Sequence, residues 1–223
     1  MKVLIYGKKD IESLVKRAGL EIVDHNPDLV ISHGGDGTLM RAEHEFPGIP
    51  KTVLRGSHIC KKCSKLGNEE VLKRVKNGHY TTEEVIKLQA TMGSRVLAAI
   101  NDVNVHNKDV RHALRYNLWL DDEKIYGEII GDGIVIATPF GSAAYYRSIT
   151  DSYFEVGIGL AFNNSTEQSD HIVIKDNRRI KISIVRGPAM VYADNQDECV
   201  EVAEGDSVFI KKSEETAKIL KFS

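Results

Sequence analysis

A carboxylate among glycines is the pattern in this chain that points most directly to chemistry. Asp36 lies in the run Gly34-Gly35-Asp36-Gly37-Thr38, directly after the apolar segment Leu29-Val30-Ile31. Glycines can adopt positive φ and leave backbone N–H groups open to a ligand, and a helix N-terminus favours negative charge such as phosphate. A carboxylate repels phosphate unless a cation or a hydroxyl donor lies between them. The pattern predicts a phosphate-binding turn in which Asp36 takes part in chemistry or metal binding; the alternative is a helix cap at Asp36 or Thr38.

A second segment of small residues, 131–145, interrupts a region of short β-type runs. It predicts a turn, a strand and a tight turn that opens a helix. Pro139 restricts φ, Gly141 permits an unusual φ, and the run Ser142-Ala143-Ala144 lets a flat ligand approach the main chain. Tyr145 could stack on such a ligand or donate a hydrogen bond to it. From the residues alone, a ligand site and a plain strand-to-helix corner are equally good interpretations.

His58, Cys60 and Cys63 form a third candidate group. A Cys-x-x-Cys with a nearby histidine could be half of a zinc site or a redox pair, but the only other cysteine, Cys199, is distant in sequence. Three cysteines, an odd number, do not make a disulfide framework. Ordinary reduced thiols are the favoured interpretation, and no metal ligand is assigned.

Composition narrows the classes of partner. The chain has 223 residues, with 30 basic and 32 acidic side chains, and it has no block of lysine and arginine. This balance argues against nucleic-acid binding and favours a small-molecule ligand. Residues 1–7 lead directly into a strand-like run, and no stretch of about 20 apolar residues is present, so neither a signal peptide nor membrane association is expected. A cytoplasmic location is the prediction.

The predicted secondary structure that positions these residues differs between the first third of the chain and the rest. The first third alternates strand and helix signals, which predicts a parallel sheet of about four strands. The rest has many short β-type runs separated by turns, which predicts a β-sandwich-like domain. The predicted fold is therefore a small N-terminal Rossmann-like α/β domain, residues 1–79, and a C-terminal β-rich domain, residues 80–223, whose tail is a candidate to return to the first domain. A single mixed α+β domain is the alternative.

The individual predictions follow from apolar periodicity and turn residues. In the first domain the predicted strands are Val3–Tyr6, Glu21–Val23, Leu29–Ile31 and Lys51–Leu54, and the predicted helices are Ile11–Ala18, one starting at Thr38, and Glu69–Lys76. In the second domain the predicted strands are Val85–Gln89, Arg95–Val105, Asn117–Leu120, Gly133–Ala137, Ile172–Ile174, Ile180–Val185 and Ser207–Lys211.

Taken together, these motifs resemble the NAD kinase family in order and content. The resemblance covers the Gly-Gly-Asp-Gly-Thr turn, the pair Asn101-Asp102, the element Gly131-Asp132-Gly133 and the segment Thr138–Tyr145. It extends to Tyr192–Asn195, which takes the place of the family's Asp-Gly turn. The resemblance implies that Asp36 is catalytic. It also implies a nucleotide-binding set, which is Gly35, Gly37, Thr38, Asn101, Asp102, Asp132, Thr138, Ala143, Ala144, Tyr145 and, as a weaker member, Ser148.

The activity implied is transfer of a phosphoryl group from ATP to the adenosine 2′-hydroxyl of NAD, giving NADP, with Mg²⁺ as the divalent cation. A homodimer or homotetramer is implied as well. The chain departs from the family pattern in Arg55–Cys63, which replaces a Gly-x-Asn-x-Gly-x-x-Gly-Phe-Leu element, and in Phe140, Ala143 and Asp102. Two alternatives follow: a nucleotide-binding protein of the same fold with impaired turnover, and a related kinase with another acceptor.

Overall fold

The computed structural model describes residues 1–167 and 169–223, and it divides the chain into two compact units. The first comprises Met1–Val85 with Thr216–Ser223, and the second comprises Ile86–Glu215. The division falls six residues after the predicted boundary between residues 79 and 80, and the last eight residues of the chain belong to the first unit. Among the helices described, none combines the length and the apolar character needed to cross a membrane.

The first unit is an α/β layer structure built on parallel strands. Its elements are β1 (Lys2–Gly7), α1 (Glu12–Arg17), β2 (Glu21–Ile22), β3 (Leu29–Gly34), α2 (Asp36–Glu45), β4 (Lys51–Arg55), α3 (Asn68–Asn77), the start of β5 (Thr81–Met92) and the end of β17 (Ser207–Lys221). The four strands β1 to β4 pair in parallel in the order β4-β3-β1-β2. The end of β17 adds a parallel strand beside β4, where Ile219 aligns with Lys51.

Apolar side chains on β1 and β3 alternate between the two faces of this sheet. Val3, Ile5 and Leu29 pack in one cluster with residues of α1 and α3. Leu4 and Val30 pack in another cluster with Ala42 of α2. Helices therefore cover both faces, as expected for strands that are apolar throughout. The predicted Rossmann-like α/β domain is confirmed.

The second unit is a pair of antiparallel sheets around one core. Its elements are the rest of β5, β6 (Arg95–Ala99), β7 (Asp102–Asn107), β8 (Leu114–Leu120), β9 (Glu123–Lys124), β10 (Ile129–Gly131), β11 (Gly133–Ala137), α4 (Tyr145–Thr150), β12 (Ile158–Asn163), β13 (His171–Ile174), β14 (Ile180–Arg186), β15 (Ala189–Ala193), β16 (Cys199–Val202) and the start of β17.

One sheet has the strand order β13-β12-β11-β7-β15-β16. The other contains β10-β8-β14-β17, with β9 beside β8 and β6 beside β5. Buried side chains from both sheets, such as Val105 and Ile136 from the first and Tyr116 and Ile182 from the second, form one cluster. This arrangement confirms the β-sandwich-like domain.

Several strands differ from their predictions. The run Arg95–Val105, predicted as one strand, is two strands separated at Ile100 and Asn101. The last strand was predicted as Ser207–Lys211 but runs to Lys221, because the polar stretch after residue 211 hides the β pattern. The strands β9, β10, β12, β15 and β16 were missed; β12 carries a glycine within a mostly apolar run, which obscures its alternation.

Candidate functional site

The glycine turn lies at the junction of β3 and α2, as predicted. Gly35 is the N-cap, with extended φ and ψ of −116° and −167°, and its carbonyl accepts the N–H of Thr38 at 3.1 Å. Asp36 is the first residue of α2, two residues before the predicted start. A carboxylate in the first turn of a helix is stabilised by the positive end of the helix dipole.

The positive φ predicted for these glycines is wrong. Gly34, Gly35 and Gly37 are not among the residues with positive φ in the described chain. Space is the constraint instead, because a Cβ on Gly34 would lie 2.1 Å from Oγ1 of Thr38, and a Cβ on Gly35 would lie 3.0 Å from the carbonyl oxygen of Ile59. The glycines allow close packing around the turn rather than an unusual backbone angle.

An open cavity of ≈ 420 Å³ borders this turn. Its lining combines the glycines with two basic side chains, Lys8 and His33, in the set Gly7, Lys8, His33, Gly34, Gly35, Thr38, Gly56 and Ser57. Lys8 Nζ donates to the carbonyl of Gly56 at 2.5 Å. His33 is 4 % exposed, with Nδ1 at 3.2 Å from the carboxylate of Asp10. Backbone N–H groups and a lysine beside a helix N-terminus suit an anionic ligand such as phosphate.

Lys8 and His33 were not singled out from the sequence. The available signal is their position, because each lies next to a glycine at the carboxyl end of a parallel strand, Gly7 of β1 and Gly34 of β3. In open α/β sheets, ligands bind outside the carboxyl ends of the strands. Applying that rule to both strands would have found the two residues.

The segment after β4 contacts Asp36 through its backbone. The N–H of Lys61 donates to Asp36 Oδ2 at 3.1 Å, and the N–H of Lys62 donates to Oδ1 at 2.9 Å. Burial lowers the pKa of Lys62, and the charge of Asp36 opposes that shift. Both carboxylate oxygens of Asp36 therefore accept hydrogen bonds within the first unit.

Cys60 and Cys63 are joined by a disulfide, which corrects the expectation of ordinary thiols. The Cα atoms lie 5.5 Å apart, within the distance that a disulfide spans. Cys199 is a free, exposed cysteine. In the described part of the chain, histidine, cysteine and carboxylate side chains nowhere form a group of three or more that could hold a metal ion. The zinc alternative gains no support.

In the second unit, Asn101 and Asp102 are held by a carboxylate that comes from far along the chain. Asp194 accepts the backbone N–H groups of Ile100 at 2.8 Å, Asn101 at 2.8 Å and Asp102 at 3.1 Å. These bonds explain why the predicted strand Arg95–Val105 breaks here, since the N–H groups turn away from the sheet. The resemblance had located Asp194 only as part of a turn, without this contact.

Burial changes the acidity of both carboxyl groups. Burial raises the pKa of Asp102 to about 7, and the charge of Asp194 adds to the shift. Burial also raises the pKa of Asp194 to about 6, while its three backbone hydrogen bonds oppose the rise. Asn101 Oδ1 is buried and, within the described residues, has no hydrogen-bond partner. A buried orphan acceptor leaves one position open for a ligand's N–H or O–H group.

The segment after β11 packs directly on Asn101. Thr138 is buried, its N–H donates to the carbonyl of Asn101 at 2.9 Å, and its hydroxyl donates to the carbonyl of Ile100 and accepts the N–H of Gly141 at 3.1 Å. A Cβ on Gly141 would lie 2.2 Å from the carbonyl oxygen of Asn101. Gly141 therefore lets the turn pack closely against the backbone of Asn101. The unusual φ predicted for Gly141 is wrong, since it is not among the positive-φ residues of the described chain.

The remaining predicted residues are connected through the end of β12. Asn163 Nδ2 donates to the hydroxyl of Tyr145 at 3.3 Å, and Asn164 Nδ2 donates to Asp132 Oδ2 at 3.2 Å. Tyr145 is 36 % exposed and begins α4. Ser148 donates to the carbonyl of Tyr145 at 2.6 Å, so its hydroxyl is engaged within the helix.

The predicted residues thus fall into three groups. Gly35, Asp36, Gly37 and Thr38 share one turn of the first unit. Asn101 and Asp102 lie beside the Thr138–Gly141 turn in the second unit, while Asp132 and Tyr145 each contact an adjacent asparagine of that unit. Ala143 is half-buried and Ala144 is exposed, next to Tyr145.

Comparison with known proteins assigns the chain to a family. Residues 100–222 match the model of the ATP-NAD kinase C-terminal domain. The chain belongs to the NAD kinase family. The family match includes the Asn101-Asp102 pair and the Thr138–Tyr145 segment, and it places the chain among phosphotransferases.

Relatives named NAD kinase align with most of the chain. One from Clostridium perfringens is 28 % identical over 211 residues, which is 87 % of this chain and 75 % of the relative. One from Teredinibacter turnerae is 29 % identical over 209 residues, covering 86 % of this chain and 71 % of the relative. One from Saccharolobus islandicus is 35 % identical over 144 residues, covering 64 % of this chain and 56 % of the relative.

Two solved structures share the fold. An NAD kinase from Archaeoglobus fulgidus in complex with ATP has a TM-score of 0.82 at 21 % identity, over 99 % of this chain and 93 % of that one. Yeast NADH kinase complexed with NADH has a TM-score of 0.84 at 15 % identity, over 100 % of this chain and 84 % of that one. At these identities the similarity concerns the fold alone.

Proposed function

We propose that the protein is an NAD kinase that transfers the terminal phosphoryl group of ATP to the adenosine 2′-hydroxyl of NAD. The observation that carries the proposal is Asp36, a carboxylate on the first turn of α2 beside a glycine-lined cavity with two basic side chains. Phosphoryl transfer needs alignment and charge neutralisation more than covalent help from the protein. That need matches a turn of backbone N–H groups with one carboxylate.

In the proposed reaction, Asp36 accepts the proton of the ribose hydroxyl as its oxygen attacks the terminal phosphorus of ATP. The new O–P bond forms while the bond between that phosphorus and the bridging oxygen breaks, and ADP leaves with the electron pair. The turn Gly35–Thr38 at the N-terminus of α2, together with Lys8, is assigned to the phosphates.

Mg²⁺ is the proposed cation. It is commonly bound by one or two carboxylates plus substrate phosphates, so a three-residue cluster of side chains is not required. When bound, Mg²⁺ would neutralise charge on the phosphate oxygens. No side chain of this chain is assigned as its ligand, because Asp36 is assigned to the ribose hydroxyl.

The dinucleotide is assigned to the second unit. The buried orphan oxygen of Asn101 suits an N–H or O–H donor of the ligand, and carboxylates suit ribose hydroxyls because each can accept hydrogen bonds from two hydroxyls at once. Tyr145, which is exposed, is assigned to stack on a base. The assigned set is Asn101, Asp102, Asp132, Thr138, Ala143, Ala144 and Tyr145, with Ser148 as a weaker member.

The proposal is tested by incubating the protein with NAD, ATP and magnesium and measuring NADP with an NADP-specific dehydrogenase. Steady formation of NADP supports it. Calorimetric binding of NAD without product would instead support the impaired nucleotide-binding protein, which the altered loop Arg55–Cys63 favours. Transfer of label from radiolabelled ATP to a different nucleoside or polyol would support a kinase with another acceptor.

Two further properties are proposed. The assembly is a homodimer or homotetramer, as the family resemblance implies, and light scattering on the purified protein tests it. The location is the cytoplasm, as the sequence predicts, and fractionation of cells expressing the chain tests it.

A further inference from the structure

The loop between β4 and α3 covers the glycine turn. We call residues 56–63 the cysteine loop. It begins at Gly56, whose N–H donates to the carbonyl of Gly34 at 2.9 Å. The carbonyl of Ile59 then passes 3.0 Å from the position that a Cβ on Gly35 would occupy. The loop therefore follows the backbone of the turn closely on the side where Gly35 has no side chain.

The end of the cysteine loop binds Asp36 with two consecutive N–H groups. Lys61 and Lys62 donate to different oxygens of the carboxylate, at 3.1 and 2.9 Å. An ionised carboxylate has about four lone-pair positions, so these bonds occupy about half of its accepting capacity. An incoming hydroxyl must compete for what remains.

Lys61 and Lys62 are the two residues enclosed by the disulfide. Cys60 and Cys63 close a small ring around them, and Cys60 is 8 % exposed. The Cys60 carbonyl also accepts a hydrogen bond from the guanidinium of Arg55 at 3.4 Å. A covalent ring removes conformations that the open chain would sample, so it favours the arrangement in which both N–H groups point at Asp36.

We propose that the Cys60–Cys63 pair is a redox switch that acts on Asp36. The disulfide holds the N–H groups of Lys61 and Lys62 on the carboxylate and slows phosphoryl transfer, whereas reduction releases the cysteine loop and speeds transfer. This inference rests on the proposed function. Cys60 and Cys63 are positioning residues here, because they act through the loop and touch no reacting atom.

The chemical step is thiol–disulfide exchange with a dithiol. A thiolate of the dithiol attacks one sulfur of the Cys60–Cys63 bond, which forms a mixed disulfide and leaves the other cysteine as a thiolate. The second thiol of the reductant then displaces the remaining cysteine. Two electrons and two protons pass to the protein, and the dithiol becomes a cyclic disulfide. Oxidation runs the same exchange backwards with a disulfide reagent.

The switch is tested by measuring NADP formation after equilibration with reduced or oxidised dithiothreitol. We expect the wild type to be about fivefold or more faster when reduced, which corresponds to about one net hydrogen bond released from Asp36. The double variant Cys60→Ser/Cys63→Ser should be fast under both conditions, and Cys199→Ser, the matched control, should respond as the wild type does. Equal wild-type rates, a faster oxidised form, or a double variant that still responds would overturn the inference.

Hydrogen exchange gives a second measurement that needs no activity. The amide protons of Lys61 and Lys62 should exchange slowly in the oxidised protein and faster after reduction, and Asp36→Ala should speed their exchange even when the disulfide is intact. Exchange that is indifferent to reduction would contradict the switch. Absence of NADP in both redox states would contradict the proposed function, and the exchange result would still decide whether the disulfide controls the contact with Asp36.

Discussion

The carboxylate of Asp194 accepts the backbone N–H of Asn101 at 2.8 Å, although 93 residues separate the two in sequence. The same carboxylate accepts the N–H groups of Ile100 and Asp102. This part-buried contact fixes the turn that presents Asn101 and Asp102, which are assigned to the dinucleotide. Asp194 therefore acts on the proposed ligand site by orienting its backbone.

Replacing Asp194 should lower the free energy of unfolding, and the loss should be larger when both hydrogen-bond-accepting oxygens are removed than when one is kept. Asp194→Ala leaves three N–H groups without their partner and should reduce the free energy of unfolding by at least about 3 kcal/mol, since each unpaired buried group costs about 1–3 kcal/mol. Asp194→Asn keeps one carbonyl acceptor and should lose less. Urea denaturation measures both, and an alanine variant at least as stable as the asparagine variant would refute the role given to Asp194.

The buried carboxyl groups should make stability depend on pH. Burial raises the pKa of Asp102 from 3.8 to about 7 and that of Asp194 from 3.8 to about 6. Between the unfolded pKa of 3.8 and the raised folded values, the folded state holds more protons than the unfolded state does. The free energy of unfolding therefore falls as the pH rises from about 4 to about 7. The decrease should level off above pH 7.

The variant Asp102→Asn isolates one of these contributions. It removes a titrating group from the buried pair, so its free energy of unfolding should change less between pH 5 and pH 8 than that of the wild type. Denaturant titrations of both proteins at the two pH values give the comparison. An identical change in the two proteins would show that Asp102 does not titrate in this range.

The hydroxyl of Thr138 should contribute more to stability than the shape of the side chain does. Thr138→Val leaves the N–H of Gly141 without its acceptor and should reduce the free energy of unfolding by about 1–3 kcal/mol. Thr138→Ser keeps the hydroxyl and should retain most of the stability. Thermal denaturation distinguishes the variants; equal melting temperatures for valine and serine would contradict the hydrogen-bond assignment.

Gly141 should tolerate no side chain. A Cβ there would meet the Asn101 carbonyl oxygen at 2.2 Å, so Gly141→Ala must displace backbone and should cost about 1–3 kcal/mol. Gly67→Ala is the matched control, because a Cβ on Gly67 would have no neighbour within 4 Å. Calorimetric unfolding of the two variants compares them, and equal stability would place Gly141 away from Asn101.

Local patterns in the sequence were enough to predict the elements around Asp36. The apolar run before it and the helix after it depend on neighbouring residues, and Gly133–Ala137 was predicted with the bounds that the structure gives. The Rossmann-like and β-sandwich-like classes followed from the same patterns. Contacts between residues that are distant in sequence could not be predicted from these local patterns.

Two long-range contacts account for the main errors. The break in Arg95–Val105 is imposed by Asp194, which no local pattern connects to Asn101. The predicted φ of Gly141 was wrong because the residue serves close packing against Asn101, a neighbour 40 positions earlier in the printed sequence. A glycine that is needed for an unusual φ and one that is needed for close packing look the same in sequence, because the neighbour in space decides between them.

The central claim, that Asp36 performs phosphoryl transfer to NAD, is tested most directly by the rate of NADP formation in Asp36→Asn. Asparagine has nearly the same size but cannot take up the hydroxyl proton, so the rate should fall by about 10²-fold or more, as expected when a general base is lost. Circular dichroism and NAD binding serve as controls for folding. An Asp36→Asn protein that forms NADP at the wild-type rate would contradict the account.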